Sequence, residues 1–254
     1  MRLVIIGAGF AGMYAAISAA RLRHLHGVSS KDFEIALISP EPFLVIRPRL
    51  YEPKPETMKA PLTQLFQEMD VRYVQGSVET IDSASGLASF VGPGGKLETL
   101  AYDRLVLATG STGFRPNIPG LAQHAFGVDL MDEAIKLDHH LHALAKQPSS
   151  KARNTVVVAG GGFTGIETAT EMPGRLRTIL GNDADIRIVL VERGELIAPQ
   201  TGDNPRPVIA KAIRDAGVET MLGVGVTALD ESGVTLSNGQ HIESATVIWT
   251  VSSW

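Results

Sequence analysis

Two short glycine-rich segments carry the residues best suited to chemistry in this sequence. They read Gly7-Ala8-Gly9-Phe10-Ala11-Gly12 and Gly160-Gly161-Gly162-Phe163-Thr164-Gly165. Both have glycine at the first, third and sixth positions, a spacing that allows a tight turn, close approach of a pyrophosphate to the backbone, and close packing of a helix on a strand. Backbone N–H groups at the start of a helix form a natural anion site. The sequence therefore predicts two sites for adenine dinucleotides.

The end of the second strand in each unit indicates how the ribose would be held. In the second unit the apolar run that begins at Ile188 closes on Glu192, and a carboxylate there favours a free 2′-hydroxyl over a 2′-phosphate. We therefore expect NADH to be preferred to NADPH. In the first unit the equivalent position is Ser39, which can bond to one ribose hydroxyl, and Glu41 follows two residues later.

Each glycine segment lies between a predicted strand and a predicted helix, which is the context that a dinucleotide site requires. The strand Leu3–Ile6 leads into the first segment, and a helix covering 13–22 and a strand covering 33–38 follow. In the second unit a strand covers 155–159, a helix begins at Ile166, and a strand covers 186–191. The alternative is a structural turn that binds nothing, and two copies in the same context make that alternative weaker.

The remaining segments complete one plan that occurs twice. Proline-rich residues 40–55 are expected to be irregular, antiparallel meanders are expected over 71–101 and 218–243, and buried strands are expected before Ala108-Thr109-Gly110 and over 245–251. The predicted fold class is α/β, with two tandem Rossmann-like three-layer domains, each a parallel sheet with helices and a small antiparallel β-meander. We expect a first domain over 1–117 and a second over 118–254, with a hinge from Phe114 to Leu121.

Composition excludes several classes of function. A formal net charge of −4 provides no basic surface for nucleic acid. The absence of cysteine excludes disulfide chemistry and thiolate metal sites. No apolar run approaches the roughly 20 residues that cross a bilayer, and the apolar strand begins directly after Met1, so we expect no leader peptide and a cytoplasmic protein.

Charged side chains on the helices are expected to be solvated. Asp138, His139, His140 and His142 spread around one helix, so no metal site is predicted. The arginines expected on the surface are Arg21, Arg23, Arg175 and Arg177.

These motifs together resemble the two-dinucleotide-binding-domain flavoprotein superfamily, the FAD/NAD(P)-dependent pyridine nucleotide oxidoreductases. The segment from Gly160 to Glu167 is most similar to type II NADH dehydrogenases and their relatives. The segment Arg47-Pro48-Arg49-Leu50 also resembles rubredoxin and ferredoxin reductases, in which an arginine-proline pair lies beside the flavin.

The resemblance implies FAD on the first unit and NADH on the second. It assigns FAD binding to Gly7, Ala8, Gly9, Phe10, Ala11, Gly12, Ser39, Arg47, Val78, Ala108, Thr109 and Gly110. It assigns NADH binding to Gly160, Gly162, Phe163, Thr164, Gly165 and Glu192. Glu167 would lie in the nicotinamide pocket as the catalytic residue and would position the ring rather than transfer a proton.

The function expected from the resemblance is an FAD-dependent NADH oxidoreductase that passes electrons to a quinone-like or other acceptor. A ferredoxin or rubredoxin reductase-like electron transferase and a non-catalytic nucleotide-binding fragment remain open alternatives. Such proteins carry a second FAD segment with a glycine-aspartate motif after the NAD domain. Gly202-Asp203 is the only such dipeptide and lies elsewhere, so a truncated or curtailed member is expected. A homodimer and attachment to the inner face of the membrane are left open.

Overall fold

The computed structural model describes residues 1–113 and 115–251, and these form two compact units. One unit comprises Met1–Ile46 and Lys59–Ser111, and the other comprises Arg47–Met58 and Thr112–Trp254. Two segments assigned to the first domain from the sequence, 47–58 and 112–117, therefore belong to the second unit. Phe114, where the expected hinge begins, and the chain end at Trp254 lie outside the described residues. The division at 117/118 and the cofactor assigned to each domain stay predictions.

The first unit is built on a parallel sheet with strand order β5-β2-β1-β9. An antiparallel meander β6-β7-β8 and a short antiparallel pair β3-β4 accompany the sheet. The elements are β1 (Arg2–Ile6), α1 (Phe10–Leu25), β2 (Glu34–Ser39), β3 (Phe43–Val45), β4 (Lys59–Pro61), α2 (Thr63–Glu68), β5 (Arg72–Gln75), β6 (Ser77–Asp82), β7 (Leu87–Val91), β8 (Leu97–Ala101) and β9 (Arg104–Leu107).

The second unit has a parallel sheet with strand order β10-β17-β11-β12-β13 and a meander β14-β15-β16. Short 3-10 turns cover Arg47–Arg49 and Pro55–Thr57. The other elements are α3 (Leu121–His124), β10 (Ala125–Gly127), α4 (Met131–Leu144), α5 (Lys151–Asn154), β11 (Thr155–Ala159), α6 (Phe163–Leu180), β12 (Arg187–Val191), α7 (Arg206–Asp215), β13 (Val218–Met221), β14 (Val226–Asp230), β15 (Gly233–Leu236), β16 (His241–Glu243) and β17 (Thr246–Trp249).

The two units repeat one topology, which confirms the predicted fold class. The order β5-β2-β1-β9 in the first sheet corresponds to β13-β12-β11-β17 in the second, and β10 is an additional edge strand of the second sheet. In each unit the strand before the glycine segment, β1 or β11, lies inside the sheet, and the glycine segment follows its carboxyl end. Ligands of open α/β sheets bind at that end of the strands.

Alternate residues of the central strands face different layers. In the first unit Ile5 of β1 packs with α1 and α2, whereas Val4 and Ile6 pack with the meander residues Phe90 and Leu100. The second unit follows the same rule, because Val156 and Val158 pack with α4 and α6 while Val157 and Ala159 pack with the meander. Each sheet is therefore covered on both faces, as its nearly continuous apolar strands require.

The expected meanders are too long at their N-terminal ends. Residues 72–75 form β5, which pairs in parallel with β2, and residues 218–221 form β13, which pairs in parallel with β12. Only the three strands that follow in each unit are antiparallel. Short strands have similar sequences whether they pair in parallel or antiparallel. The pairing of β5 and of β13 was therefore predicted wrongly at equivalent places in both units.

Several charged side chains expected on the surface are buried. Arg23 donates to the carbonyl oxygens of Phe33, Met69 and Asp70, at 3.1, 2.8 and 3.1 Å. Asp138 and Arg175 form a buried ion pair between α4 and α6. Their burial is possible because each charge has a partner that replaces water.

His140 is also not a solvated side chain. Its Nε2 lies 2.8 Å from Thr246 Oγ1, and its ring packs on Phe126 with centroids 4.5 Å apart. Burial lowers the pKa of His140 below its usual value. Arg21 and Arg177 are exposed, as expected. Among the helices of the described residues, none combines the length and the apolar character needed to cross a membrane.

Candidate dinucleotide-binding site

The first glycine turn is built by close backbone packing. Gly7 follows β1 with φ +106°, a conformation that favours glycine, and its N–H donates to Ile38 O at 2.8 Å. A Cβ on Gly7 would lie 2.3 Å from Ala108 O, and a Cβ on Gly12 would lie 1.9 Å from Gly7 O. Neither position can hold a larger residue without movement of the backbone, so both glycines are required by the turn.

The second glycine turn reproduces this geometry. Gly160 has φ +115°, and its N–H donates to Val191 O at 2.8 Å. A Cβ on Gly165 would lie 1.8 Å from Gly160 O, which matches the close approach in the first unit. The two glycine segments that resemble each other in sequence therefore also have similar backbone conformation and packing.

The middle glycine of each turn has a different role. Gly9 and Gly162 are the N-cap residues of α1 and α6, with ordinary extended backbone angles. A Cβ at either position would meet nothing within 4 Å. The fold therefore does not require glycine there, whereas a ligand that approaches the helix N-terminus does. Because glycine has no side chain to cap the first-turn N–H groups, those groups are available to phosphate oxygens.

Glu192 is joined to the second glycine turn by hydrogen bonds. Its Oε2 accepts the N–H of Gly161 at 2.6 Å, and its Oε1 accepts the N–H of Gly194 at 2.7 Å. A carboxylate has about four acceptor positions, so both oxygens retain capacity for ribose hydroxyls. Gly161 and Gly194 were missed by sequence reasoning, although Gly161 lies within the motif and Gly194 lies two residues after Glu192.

The predicted residues of the first unit are brought together only in part. Ser39 ends β2, next to the end of β1, and its hydroxyl donates to Glu41 O at 2.7 Å. The N–H of Gly76 donates to Ser39 O at 3.0 Å, which brings the start of β6 and Val78 near this end of the sheet. The hydroxyl oxygen of Ser39 retains lone pairs for a ribose hydroxyl.

The residue after the last strand of each sheet closes the glycine turn. Ala108 N–H donates to Ile6 O at 2.9 Å, and Thr250 N–H donates to Ala159 O at the same distance. The Thr250 hydroxyl donates to Ala159 O as well, at 2.8 Å. Thr109 and Gly110 follow Ala108 on this edge. Thr250 was not predicted as a site residue, and its signal was its position after the last strand, as for Ala108.

Glu167 lies one turn into α6, beyond the exposed Phe163 and the half-buried Thr164. Partial burial of its carboxyl group raises the pKa of Glu167 above the usual value for glutamate. On the first turn, Ala8 is buried while Phe10 and Ala11 are exposed. The surface around each helix N-terminus therefore offers apolar side chains beside the backbone amides.

Arg47 lies in the second unit, in the 3-10 turn Arg47–Arg49. Its Nε donates to Asp129 O at 3.0 Å, between β10 and α4. Arg47 therefore belongs to a different unit from the other residues that the sequence assigns to FAD, and its role at the flavin stays a prediction. Within residues 1–113 and 115–251 there is no group of three or more histidine, aspartate or glutamate side chains placed to hold a metal ion.

Comparison with known proteins gives a consistent result. The family described as pyridine nucleotide-disulphide oxidoreductase matches residues 1–251. An NADH dehydrogenase-like protein of Mycobacterium tuberculosis is 42% identical over 250 residues, which are 98% of this chain and 62% of that protein. The demethylphylloquinone reductase of Synechocystis is 30% identical over 258 residues, with 98% of this chain and 61% of the relative covered. The chain thus spans about three fifths of these relatives.

Solved structures share the fold. NDH2 from Plasmodium falciparum in complex with NADH superposes with a TM-score of 0.83 at 18% identity, over 98% of this chain and 54% of the NDH2 chain. A ferredoxin reductase from Rhodopseudomonas palustris gives a TM-score of 0.77 at 22% identity, over 98% of this chain and 58% of that chain.

Proposed function

This chain belongs to the pyridine nucleotide-disulphide oxidoreductase family, and from that premise we propose that it is an FAD-dependent NADH oxidoreductase that passes electrons to a quinone. The observation that carries the proposal is the pair of similarly built glycine turns, each at a helix N-terminus with an open middle glycine. The names of relatives, a demethylphylloquinone reductase and type II NADH:quinone oxidoreductases, support quinone as the acceptor.

The residues of both turns fit a dinucleotide. The backbone amides at the start of α1 would hold the pyrophosphate of FAD, and those at the start of α6 would hold the pyrophosphate of NADH. When bound, FAD supplies the ring that accepts hydride from NADH and then releases electrons to the acceptor. The chain contributes alignment and a site from which water is excluded.

Individual side chains refine this proposal. Glu192 accepts hydrogen bonds from the ribose hydroxyls of NADH and repels a 2′-phosphate. Ser39 forms a hydrogen bond with the adenosine ribose of FAD. Glu167 positions the nicotinamide ring through its carboxyl group. We also propose that the protein works in the cytoplasm, where NADH is produced, at the inner face of the membrane that holds the quinone.

A spectrum of the purified protein tests the proposal. The protein should be yellow as isolated or after reconstitution with FAD, and the colour should bleach when NADH is added without air. NADPH at the same concentration should bleach it much more slowly. Adding a soluble quinone analogue should then restore the colour. A protein that binds NADH but takes up no FAD would instead be a non-catalytic nucleotide-binding module, and the proposal would be wrong.

A further inference from the structure

One buried arginine joins three separate parts of the second unit. Arg175 lies in the middle of α6, and its side chain is 2% exposed. One terminal nitrogen, Nη2, is hydrogen-bonded to Asp138 Oδ1 on α4. The other, Nη1, donates to the carbonyl oxygen of Tyr51 at 2.7 Å. The guanidinium group therefore ties the segment Arg47–Met58 to both helices.

A second contact holds the same segment at its start. Arg47 Nε donates to Asp129 O at 3.0 Å, immediately before α4. Between these two contacts, Leu50 is fully buried and Tyr51 packs on the apolar core beneath α4 and α6. The segment 47–51 is thus fixed at both ends, although it is an irregular, proline-containing stretch.

Tyr51 lies against the face of α6 that carries Glu167, because Glu167, Glu171 and Arg175 follow one another at four-residue spacing and Arg175 bonds to the Tyr51 carbonyl. Burial raises the pKa of the Tyr51 phenol, and the negative charges of Glu167, Glu52 and Glu171 add to this effect. The phenol therefore stays protonated at neutral pH and offers an O–H group as a hydrogen-bond donor. Glu167 and Glu171 are one turn apart on α6, so Tyr51 and these two carboxylates share one surface.

Burying an ion pair costs desolvation free energy that can exceed the attraction between the two charges. Two apolar side chains of similar size would commonly serve as well or better. What apolar side chains cannot do is donate to the carbonyl of Tyr51. A lysine could neutralise Asp138, but its single nitrogen cannot occupy both positions at which Nη1 and Nη2 of Arg175 meet Tyr51 O and Asp138 Oδ1. The choice of arginine at position 175 is therefore explained by the contact with Tyr51.

We propose that Tyr51 is a further functional residue of the surface that carries Glu167, where its phenol donates a hydrogen bond to the carboxamide oxygen of the nicotinamide. Asp138 and Arg175 are its positioning residues. This inference rests on the proposed function, since it assumes that the nicotinamide end of NADH reaches Glu167. The attachment of segment 47–58 by Arg175 does not depend on the proposed function, because it follows from the hydrogen bonds of Arg175 to Tyr51 O and Asp138 Oδ1.

Two variants separate the attachment from the phenol. Arg175→Lys keeps the charge opposite Asp138 but loses the bond to Tyr51 O, so amide hydrogen exchange in residues 47–58 should become about tenfold faster. Tyr51→Phe keeps the backbone carbonyl, so exchange in that segment should stay as in the wild type. Arg23→Lys is the matched control, because Arg23 is a buried arginine whose hydrogen bonds to carbonyls and ion pair with Asp70 all lie in the first unit.

The phenol is tested with the FAD-loaded protein by rapid-mixing measurement of flavin reduction. Tyr51→Phe should slow reduction by NADH about tenfold or more with little change in the dissociation constant measured by calorimetry. With thionicotinamide adenine dinucleotide (reduced form), whose sulfur is a poor acceptor, the same substitution should have little effect. A structural defect would slow both substrates equally, and that result would overturn the role of the phenol.

Failure of the roles inferred for Arg175 and Tyr51 gives different results from failure of the proposed function. Unchanged exchange of residues 47–58 in Arg175→Lys would show that Arg175 does not position the segment. Faster exchange with wild-type flavin reduction in that variant would refute the positioning role in catalysis. If the wild-type protein neither binds FAD nor oxidises NADH, the proposed function and the role of the phenol both fail, while hydrogen exchange still decides whether Arg175 holds the segment.

Discussion

The carboxylate of Glu192 accepts the backbone N–H of Gly161 at 2.6 Å, so the acidic end of β12 and the glycine turn after β11 form one hydrogen-bonded unit. The group expected to recognise the ribose therefore also shapes the loop expected to hold the phosphates. A substitution at Glu192 should affect both the choice of nucleotide and the affinity for either one.

Glu192→Gln should weaken NADH binding about tenfold and reduce the preference for NADH over NADPH. A glutamine replaces one carboxylate oxygen with an NH2 donor, so the N–H group of either Gly161 or Gly194 loses its acceptor. It also has no negative charge to repel a 2′-phosphate. Calorimetric titrations with both nucleotides measure the effect. Glu195→Gln, in the same loop but without a bond to the glycine turn, should bind like the wild type. Equal affinities of Glu192→Gln and wild type would show that Glu192 does not hold the ribose.

Gly165→Ala should destabilise the fold by about 1–3 kcal/mol or more, because the added Cβ would lie 1.8 Å from Gly160 O and α6 would have to move. Gly174→Ala is the matched control in the same helix. Its Cβ meets nothing within 4 Å, and alanine is favoured over glycine within a helix by about 0.5–1 kcal/mol. Urea unfolding of the two variants should therefore show changes of opposite sign. A Gly165→Ala protein as stable as wild type would contradict the close packing of turn and helix.

Acid should destabilise the second unit through His140. Burial lowers the pKa of His140 in the folded protein, so the unfolded chain binds the proton more readily. Stability is then complete above the ordinary histidine pKa of about 6.5 and is lost as the pH falls below it. His140→Asn keeps a polar group for Thr246 and should flatten this part of the pH dependence in thermal unfolding. His139→Asn, an exposed neighbour, should retain it. The same slope in both variants would exclude His140 as the cause.

Asp138→Asn should cost about 3–5 kcal/mol in the free energy of unfolding, because it leaves the buried charge of Arg175 without a compensating carboxylate. Asp203→Asn is the comparison for an exposed pair. Asp203 pairs with Arg206 at 2.8 Å but its side chain is 94% exposed, so its removal should cost less than about 1 kcal/mol. Denaturant titrations measure both values. Equal, small losses would mean that the Asp138–Arg175 pair is accessible to water.

The sequence predicted the parts of the fold that local chemistry determines. Gly7, Gly12, Gly160 and Gly165 could be assigned to their roles because no other residue fits such turns, and the strands before them were recognisable as continuous apolar runs. The repeat of these features in one chain also predicted the duplicated topology, which the strand orders confirm.

The parts that the sequence left open depend on contacts between distant residues. Nothing local distinguishes β5 and β13, which join the parallel sheets, from the meander strands that follow them. Likewise, Arg175 follows helical spacing like any surface arginine, and its burial depends on Asp138 and on the carbonyl of Tyr51, which is 124 positions away. Segment 47–58 could not be assigned to the second unit for the same reason.

The claim that the two glycine turns hold the two dinucleotides is tested most directly by replacing the middle glycine of each turn with alanine. Gly9→Ala and Gly162→Ala should both retain wild-type unfolding free energies, because a Cβ at either position meets no protein atom within 4 Å. Calorimetry should then show a reciprocal result. Gly162→Ala should lose affinity for NADH about tenfold to a hundredfold while keeping FAD, and Gly9→Ala should lose FAD while keeping NADH. Two variants that bind both nucleotides as tightly as wild type would contradict the claim that these turns hold the two dinucleotides.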